Sequence, residues 1–574
     1  MIHFRKPKLA RHLMLASAAA LGLSATGAMA ERGADGQLNI LYWQAVSVLN
    51  PFLSGGTKDV EGSSLVLEPL ARYDETGTMV PWLVDEIPTV ENGGVSEDLT
   101  TITWKIKDGI KWSDGSPFTA EDVAFTAAYC MDETGGCQQA AQFADVASVE
   151  AVDPLTVKIT FSVAKPFPYG PFVGAQSPVL QKAQFQDCMG AKAPTCTDAN
   201  FHPIGTGPFR VTDFKANDVV VFEANPEFRD PEKPAFSTVV FKGGGDAASA
   251  ARSVLETGEF DYAWNLQVEP EILSQMEAAG KGELVSAFGT SVERFEVNMT
   301  NPDPALGDKR STIEGGPHPF LTDPRVTKAL SLAIDREILV EAGYGAAGEV
   351  TCNLVPAPAA YASTANDWCK TQDVDAANAL LDEAGWVPGS DGVREKDGVR
   401  LSLLYQTSTN SVRQGTQALI KQMWEAIGVE TELRNIDASV FFGGDPASPD
   451  TFQKLYADVE MFTNNFDGTD PQSYLANWRC EEIPSPANNW LGGNNPRFCS
   501  EEYDALVKEL AGTAGLEKRA EISKKLNDML VEAGAIIPLI HRGGVSAHAK
   551  TLGGVVMNEW DSELWNIADW HRVQ

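Results

Sequence analysis

Two hydrophobic periods trade places along most of this 574-residue chain, and that alternation restricts it to the α/β class. Residues 37–43 (QLNILYW) read as a buried strand, while 101–106 (TITWKI) and 156–161 (TVKITF) alternate with the period of two expected of half-exposed strands. Between the latter two, Thr119, Ala120, Glu121 and Asp122 open an apolar run through Val123, Phe125, Thr126 and Tyr129. A hydroxyl followed three residues later by a carboxylate is a capping box, so a helix with an acidic first turn is expected there. Strands at 219–223, 239–242 and 260–264, with a helix over 247–256, make a β-α-β unit. The triple glycine 243–245 inside it lacks both the G-x-G-x-x-G spacing and a Gly-Lys-Ser/Thr ending, so it reads as a turn and not a phosphate loop.

A second region begins near Phe295. Asp323 caps and Pro324 starts a helix carried by Val326, Ala329, Leu330, Ala333, Ile334 and Ile338. Further helices are expected at 376–384, 417–427, 501–510 and 517–532, and strands at 401–405, 429–433, 459–462, 535–540 and 554–557. No internal repeat and no low-complexity linker separates the two regions, so they are expected to be coupled lobes.

Residues 1–30 carry the marks of a secretory signal. Arg5, Lys6, Lys8 and Arg11 precede an apolar run from Leu13 to Leu23, and Ala28 and Ala30 supply the small residues of a cleavage site. Export to the periplasm is expected, with a soluble remainder, since no later stretch approaches the roughly 20 apolar residues of a membrane span. An oxidising compartment gives the eight cysteines a use as disulfides. They fall in four local pairs: Cys130 with Cys137, Cys188 with Cys196, Cys352 with Cys369, and Cys480 with Cys499. Spacing alone does not fix connectivity, but each pair flanks a Gly-, Pro- or Asn-containing stretch that can turn back, so neighbour pairing is expected. A zinc reading fails because the chain has no C-x-x-C.

The chain carries 79 acidic against 45 basic residues, a net charge of −34. Such a surface repels phosphate backbones and anionic headgroups, which argues against nucleic acid and lipid surfaces as partners. A saline habitat produces the same acidity, so charge names no function. Enzyme signatures are missing as well: there is no G-x-S-x-G elbow and no H-E-x-x-H. His202, His318, His541, His548 and His571 stand outside metal-ligand spacing of one another, so no metal and no cofactor is expected. Carboxylate pairs are too numerous for counting to decide against glycoside hydrolysis, but the pattern points toward binding.

Residues 104–129 (WKIKDGIKWSDGSPFTAEDVAFTAAY) closely resemble the signature of the family 5 extracellular solute-binding proteins. Residues 203–211 (PIGTGPFRV), Asn225-Pro226-Glu227-Phe228, 323–335 (DPRVTKALSLAID), Ala384-Gly385-Trp386 and 424–429 (WEAIGV) follow in the family's order. The resemblance covers essentially all of the chain after the signal. It implies an α/β, two-lobed periplasmic binding protein fold of the cluster C type, with an extra subdomain inserted in the first lobe. On that template, 1–30 are the signal, 31–290 the first lobe with its insertion at about 70–203, 291–535 the second lobe, and 536–574 the return to the first. The crossing strands are expected near 288–297 and 535–540. Ligand would sit in the cleft and hinge closure would bury it. The protein, expected to be a monomer, would then hand the ligand to the permease of an ABC transporter without chemical change.

The resemblance also implies site residues. In peptide-binding members an Asp three residues before a D/E-P pair meets the ligand's α-amino group, and Asp467, before Asp470-Pro471, matches it. A buried ammonium needs such a partner, because an unpaired charge in a dry cleft costs several kcal/mol. Asp467 also suits the start of a turn before Gly468. The backbone of Asn464, Asn465 and Phe466 would pair with an extended peptide as an added strand. Arg413 lies near the place where dipeptide-binding members put an Arg, and a bidentate bond to the ligand's carboxylate is its implied role. Its spacing to Trp424 departs from the family's pattern. Trp43, Trp264, Trp478 and Trp490 are the candidate apolar walls. Residues 492–495 (GGNN) depart from the dipeptide binders, which leaves peptides, nickel chelates, haem, opines and oligosaccharides open as ligands.

Overall fold

The alternating segments assemble into three principal sheets in the computed structural model, which describes residues 32–573; the signal read over 1–30 lies outside the described residues. The first sheet has seven strands, in the order Gly282–Ala287, Gly544–Ala549, Tyr262–Ala263, Gln37–Tyr42, Thr238–Gly243, Val219–Ala224 and Phe209–Lys215. Gln37–Tyr42 runs parallel to both its neighbours, and the helix Ala247–Leu255 makes the crossover between those neighbours. Gly244 and Gly245 have φ of 91° and 88°, a left-handed turn that side chains resist, and the Asp246 carboxylate then caps the helix by accepting from Ser249 N at 2.7 Å. Leu38, Ile40, Tyr42, Phe222 and Phe241 fill the core on one face.

The inserted region has its own sheet and its own core. Thr156–Phe161 lies between Thr101–Lys105 and Val146–Asp153, all antiparallel, and its alternating burial follows the period of two in TVKITF. Ile102, Trp104, Val157 and Ile159 pack against Val123 of the helix Ala120–Cys130. The capping box forms as expected, with Asp122 Oδ2 accepting from Thr119 N at 3.0 Å.

The second lobe is built on six strands, in the order Gly348–Val350, Ile536–Arg542, Val292–Val297, Val459–Asn464, Ser402–Ser408 and Glu430–Ile436. The helix Ser411–Glu425 joins the parallel pair Ser402–Ser408 and Glu430–Ile436. Its Trp424 packs with Phe295 and Tyr405 in the core.

The chain passes between the two large sheets twice. Gly282–Ala287 leads through residues 288–291 into Val292–Val297, and Ile536–Arg542 leads through Gly543 into Gly544–Ala549. The return to the first sheet therefore falls at Gly543, later than the expected 536, because the apolar run 535–540 is still a strand of the second sheet. Two further expectations need correction. The helix read from Asp323 to Ile338 is two helices, Pro324–Leu332 and Arg336–Gly343, because Asp335 accepts from Ile338 N at 3.2 Å and caps the second. Residues 554–557 are not a strand; only Leu552–Gly553 pairs there, with His571–Arg572. The four disulfides join the neighbours named above.

Candidate functional site

Between the lobes lie two adjoining compartments of about 110 and 80 Å³, sharing Glu61, Asn464, Asn465 and Asp561 in their walls. Four pieces meet there. The first lobe supplies the helix Thr57–Ser63 and residues 558–563, the insertion supplies residues 173–176, and the second lobe supplies residues 464–467 at the end of the strand Val459–Asn464.

Asp467 lines the larger compartment. Two glycines make room for its loop. A Cβ on Gly174, at φ 80°, would fall 2.5 Å from Asp467 Oδ2, and one on Gly468, at φ 72°, would fall 2.1 Å from Tyr73 Cζ. The Asp467 carboxylate accepts from Gln176 N at 3.2 Å and Gln176 Nε2 at 3.3 Å, both neutral donors from the opposite lobe. Burial, with the adjacent Asp561 carboxylate adding to it, pushes the Asp467 pKa up to about 8. Asp561 is well partnered: it accepts from Arg72 Nη1 at 2.8 Å, Tyr73 N at 3.0 Å and Ala175 N at 3.1 Å. Asp470, also in the wall, is held by the Arg519 guanidinium through Nε and Nη2. Among the described residues no cation pairs with Asp467; Arg72, the guanidinium whose charge reaches it, is bonded to Asp561.

Asn464 and Asn465 line both compartments, and Phe466 the larger one. The backbone of Phe466 is not open to an added strand. Its N–H donates to Thr290 Oγ1 at 2.9 Å, and its carbonyl accepts from the same hydroxyl at 2.8 Å. Asn465 N donates to Asn464 Oδ1 at 3.0 Å, so this backbone donor too is engaged within the protein.

Arg413 reaches the smaller compartment, but its guanidinium is committed within the protein. Nε donates to Glu293 Oε1 at 2.8 Å, Nη2 to Glu293 Oε2 at 3.1 Å and Nη1 to Ser408 Oγ at 2.7 Å. Burial alone would raise the Glu293 pKa; the guanidinium outweighs it and holds Glu293 below the usual range. Arg542, which sequence reasoning missed, lines the same compartment and is 6% exposed. It donates to Asn265 Oδ1 and, at 3.4 Å, to Thr463 Oγ1, and no carboxylate among the described residues pairs with it.

The four tryptophans divide. Trp478 lines the larger compartment, edge-on to Tyr474, and Trp264 lines the smaller one, stacked on Tyr42 at 4.6 Å. Trp43 and Trp490 line neither. Trp43 is buried in an apolar seam, its Nε1 donating to Asn265 O at 2.9 Å, and Trp490 lies beside Tyr456 and the Lys454 ammonium. Sequence reasoning also missed Glu61, Asp561, Glu559 and Glu563, which line the cleft. Burial, reinforced by Glu563, pushes the Glu61 pKa up to about 8, and burial raises Glu559 and Glu563 as well. Carboxylates of this kind hold protons in an empty cleft and ionise against an arriving cation.

Comparison with known proteins accords with this geometry. A family model described as bacterial extracellular solute-binding proteins, family 5 middle, matches residues 78–483. The glutathione-binding protein GsiB of Escherichia coli strain K12 is 24% identical over 466 residues, covering 81% of this chain and 82% of that protein. The oligopeptide-binding protein AppA of Bacillus subtilis, solved with a nonapeptide, superposes with a TM-score of 0.77 at 20% identity over 95% of this chain and 100% of that one. NikZ of Campylobacter jejuni, solved with Ni(L-His), gives 0.76 at 22% identity over 94% and 100%. The fold is the two-lobed one of these binding proteins.

Proposed function

The chain belongs to the bacterial extracellular solute-binding proteins of family 5, and from that premise we propose that it is the periplasmic peptide receptor of an ABC importer. Its family is one of binding proteins, not of enzymes. A peptide enters the open cleft, the lobes close on it, and the closed form presents it to the membrane permease intact. The ligand's ammonium pairs with Asp467 and its carboxylate with Arg542, the role first expected of Arg413. Trp478 and Trp264 supply apolar wall.

One observation carries this reading: Asp467 faces the larger compartment with only the neutral donors of Gln176 against it. An ammonium is the group that such a carboxylate lacks. The nonapeptide in AppA supports a peptide, while NikZ was solved in complex with a nickel–histidine ligand. Glutathione, the ligand in GsiB's name, brings two carboxylates and one ammonium to a cleft in which, among the described residues, Arg542 is the one guanidinium without an ion pair, so its charge suits this site poorly.

Titration calorimetry of short peptides against the intact protein and Asp467→Asn tests the assignment. A charge-assisted bond contributes about 1.5–3 kcal/mol, so the substitution should weaken binding roughly ten- to a hundredfold. An unchanged Kd would remove Asp467 from the site, and failure of every peptide to bind would end the peptide reading.

A further inference from the structure

We propose that the smaller compartment is a subsite for a second cationic group, so that the ligand is a basic peptide, its side-chain cation held by Glu559 together with Glu61 and Glu563. This rests on reading the cleft as the peptide cavity and adds the class of peptide. Three carboxylates from two segments of the first lobe, the helix Thr57–Ser63 and residues 558–563, line that compartment. Their partners are neutral. Glu61 accepts from Ser562 Oγ at 2.6 Å and from Glu563 N at 3.1 Å. Glu563 accepts from Tyr262 Oη at 2.5 Å and Ser546 Oγ at 2.7 Å.

Glu559 supplies an observation of a different kind. It is 8% exposed and lines the cavity, yet its carboxylate makes no ion pair among the described residues; the Arg542 guanidinium eases its charge only from beyond ion-pair distance, and the Ser291 hydroxyl adds a neutral hydrogen bond. A buried carboxylate without an ion-pair partner is costly unless something arrives to pair with it. Its position is built in: a Cβ on Gly544 would stand 1.7 Å from Glu559 Oε1, so the carboxylate lies over bare backbone that any other residue would occupy.

Once ionised, these carboxylates are not balanced without a guest. Arg413 is consumed by Glu293 and Arg72 by Asp561, which leaves Arg542 facing three carboxylates. In the proposed pose Arg542 is itself taken by the ligand's carboxylate. A lysine or arginine side chain restores balance, and its methylenes lie along Trp264, whose ring lines the same compartment. The remaining titratable groups facing the cluster are Tyr42, Tyr262, Asp561 and Arg542. Burial raises the affinity of all three carboxylates for protons, so the cation enters by displacing protons.

The test is titration calorimetry of the whole protein with trialanine, with alanine tripeptides carrying one lysine at each position, with their norleucine counterparts, and with 1,5-diaminopentane. At least one lysine peptide should bind tenfold or more tightly than its norleucine counterpart, and Glu559→Gln should reduce that ratio to threefold or less. In unaltered protein at pH 7, heats compared between buffers of different ionisation enthalpy should show more protons released by lysine than by norleucine peptides. This readout does not depend on a variant folding. Equal affinity for lysine and norleucine peptides at every position, or a ratio retained in folded Glu559→Gln, would overturn the proposal. Were no peptide of any charge to bind, the peptide reading would fall, but 1,5-diaminopentane should still bind and bind less well to Glu559→Gln. Its failure to bind would overturn this inference too.

Discussion

Arg413 and Arg542 both reach the smaller compartment, and their neighbours decide which of them serves a ligand. The Arg413–Glu293 pair is buried and bidentate, with Ser408 and Thr463 hydroxyls completing it. Removing one partner strands the other charge, so Arg413→Met should cost about 3–5 kcal/mol of stability in a denaturant titration. Arg542→Met should instead leave stability within about 1 kcal/mol and weaken peptides with a free carboxylate roughly tenfold or more, with C-amidated peptides unaffected. Equal losses for both peptide forms would contradict the assignment. Asp467 carries a pH signature of its own. The groups facing it are Asp561, Arg72, Asp470 and Tyr73, and its raised pKa of about 8 means that the empty cleft holds a proton there at pH 6. A raised folded-state pKa stabilises the empty protein at low pH, and that contribution is lost as pH rises through about 8. Ligand ammonium takes the proton's place, so peptide affinity should strengthen from pH 6 toward pH 8, by up to about tenfold per unit, and weaken above it as the ligand's α-amino group, with a pKa of about 8, loses its own proton. A flat profile by calorimetry would contradict this. Asp467 could be found in the sequence because the Asp-Pro that follows it is local. Arg542, Glu559 and Asp561 could not, since they are remote in sequence from Asp467 and meet it only across the cleft.

At the scale of elements, whatever is decided within a dozen residues was readable. Thr119 and Asp122 announce their helix because a capping box is a short-range bond, and TVKITF announces its strand because one face of it meets solvent. The crossing strand Val292–Val297 (VERFEV) carries no such local signal. Its charged residues, Glu293, Arg294 and Glu296, fall on both faces and break any period of two, yet all six positions are buried, with Arg294 paired to Glu296 at 2.6 Å and Glu293 to Arg413. Arg413 comes from a distant stretch of the chain, and no local pattern encodes it. Gly544–Ala549 (GVSAHA) escaped detection because small and polar residues carry no apolar period. The disulfides are local staples. The bridge Cys352–Cys369 spans a separation of 17 residues, so replacing both with alanine should destabilise the protein by about 3 kcal/mol by the chain-entropy argument. Denaturant midpoints measured under oxidising conditions check this, and no change would show that the loop is held by packing alone.

In the molecule as a whole, an apolar seam and a group of buried carboxylates meet between the lobes. Leu41 and Trp43 of the first lobe share one buried cluster with Phe441, Phe442, Phe452 and Phe462 of the second, and burying that surface favours the closed form. Beside the seam, Asp467, Glu61, Glu559 and Glu563 come together with Arg542, which has no ion-pair partner among the described residues, and on the proposed reading the protons these carboxylates take up on burial oppose closure until a cation replaces them. A ligand shifts such an equilibrium only through its differential affinity for the two forms, and neutralising the cleft supplies it. Native mass spectrometry of the protein purified gently from its own cells tests that claim most directly. We expect one small molecule per chain, intact, peptide in composition and positively charged; a retained anion, a neutral sugar or a mixture of cleaved fragments would contradict the account.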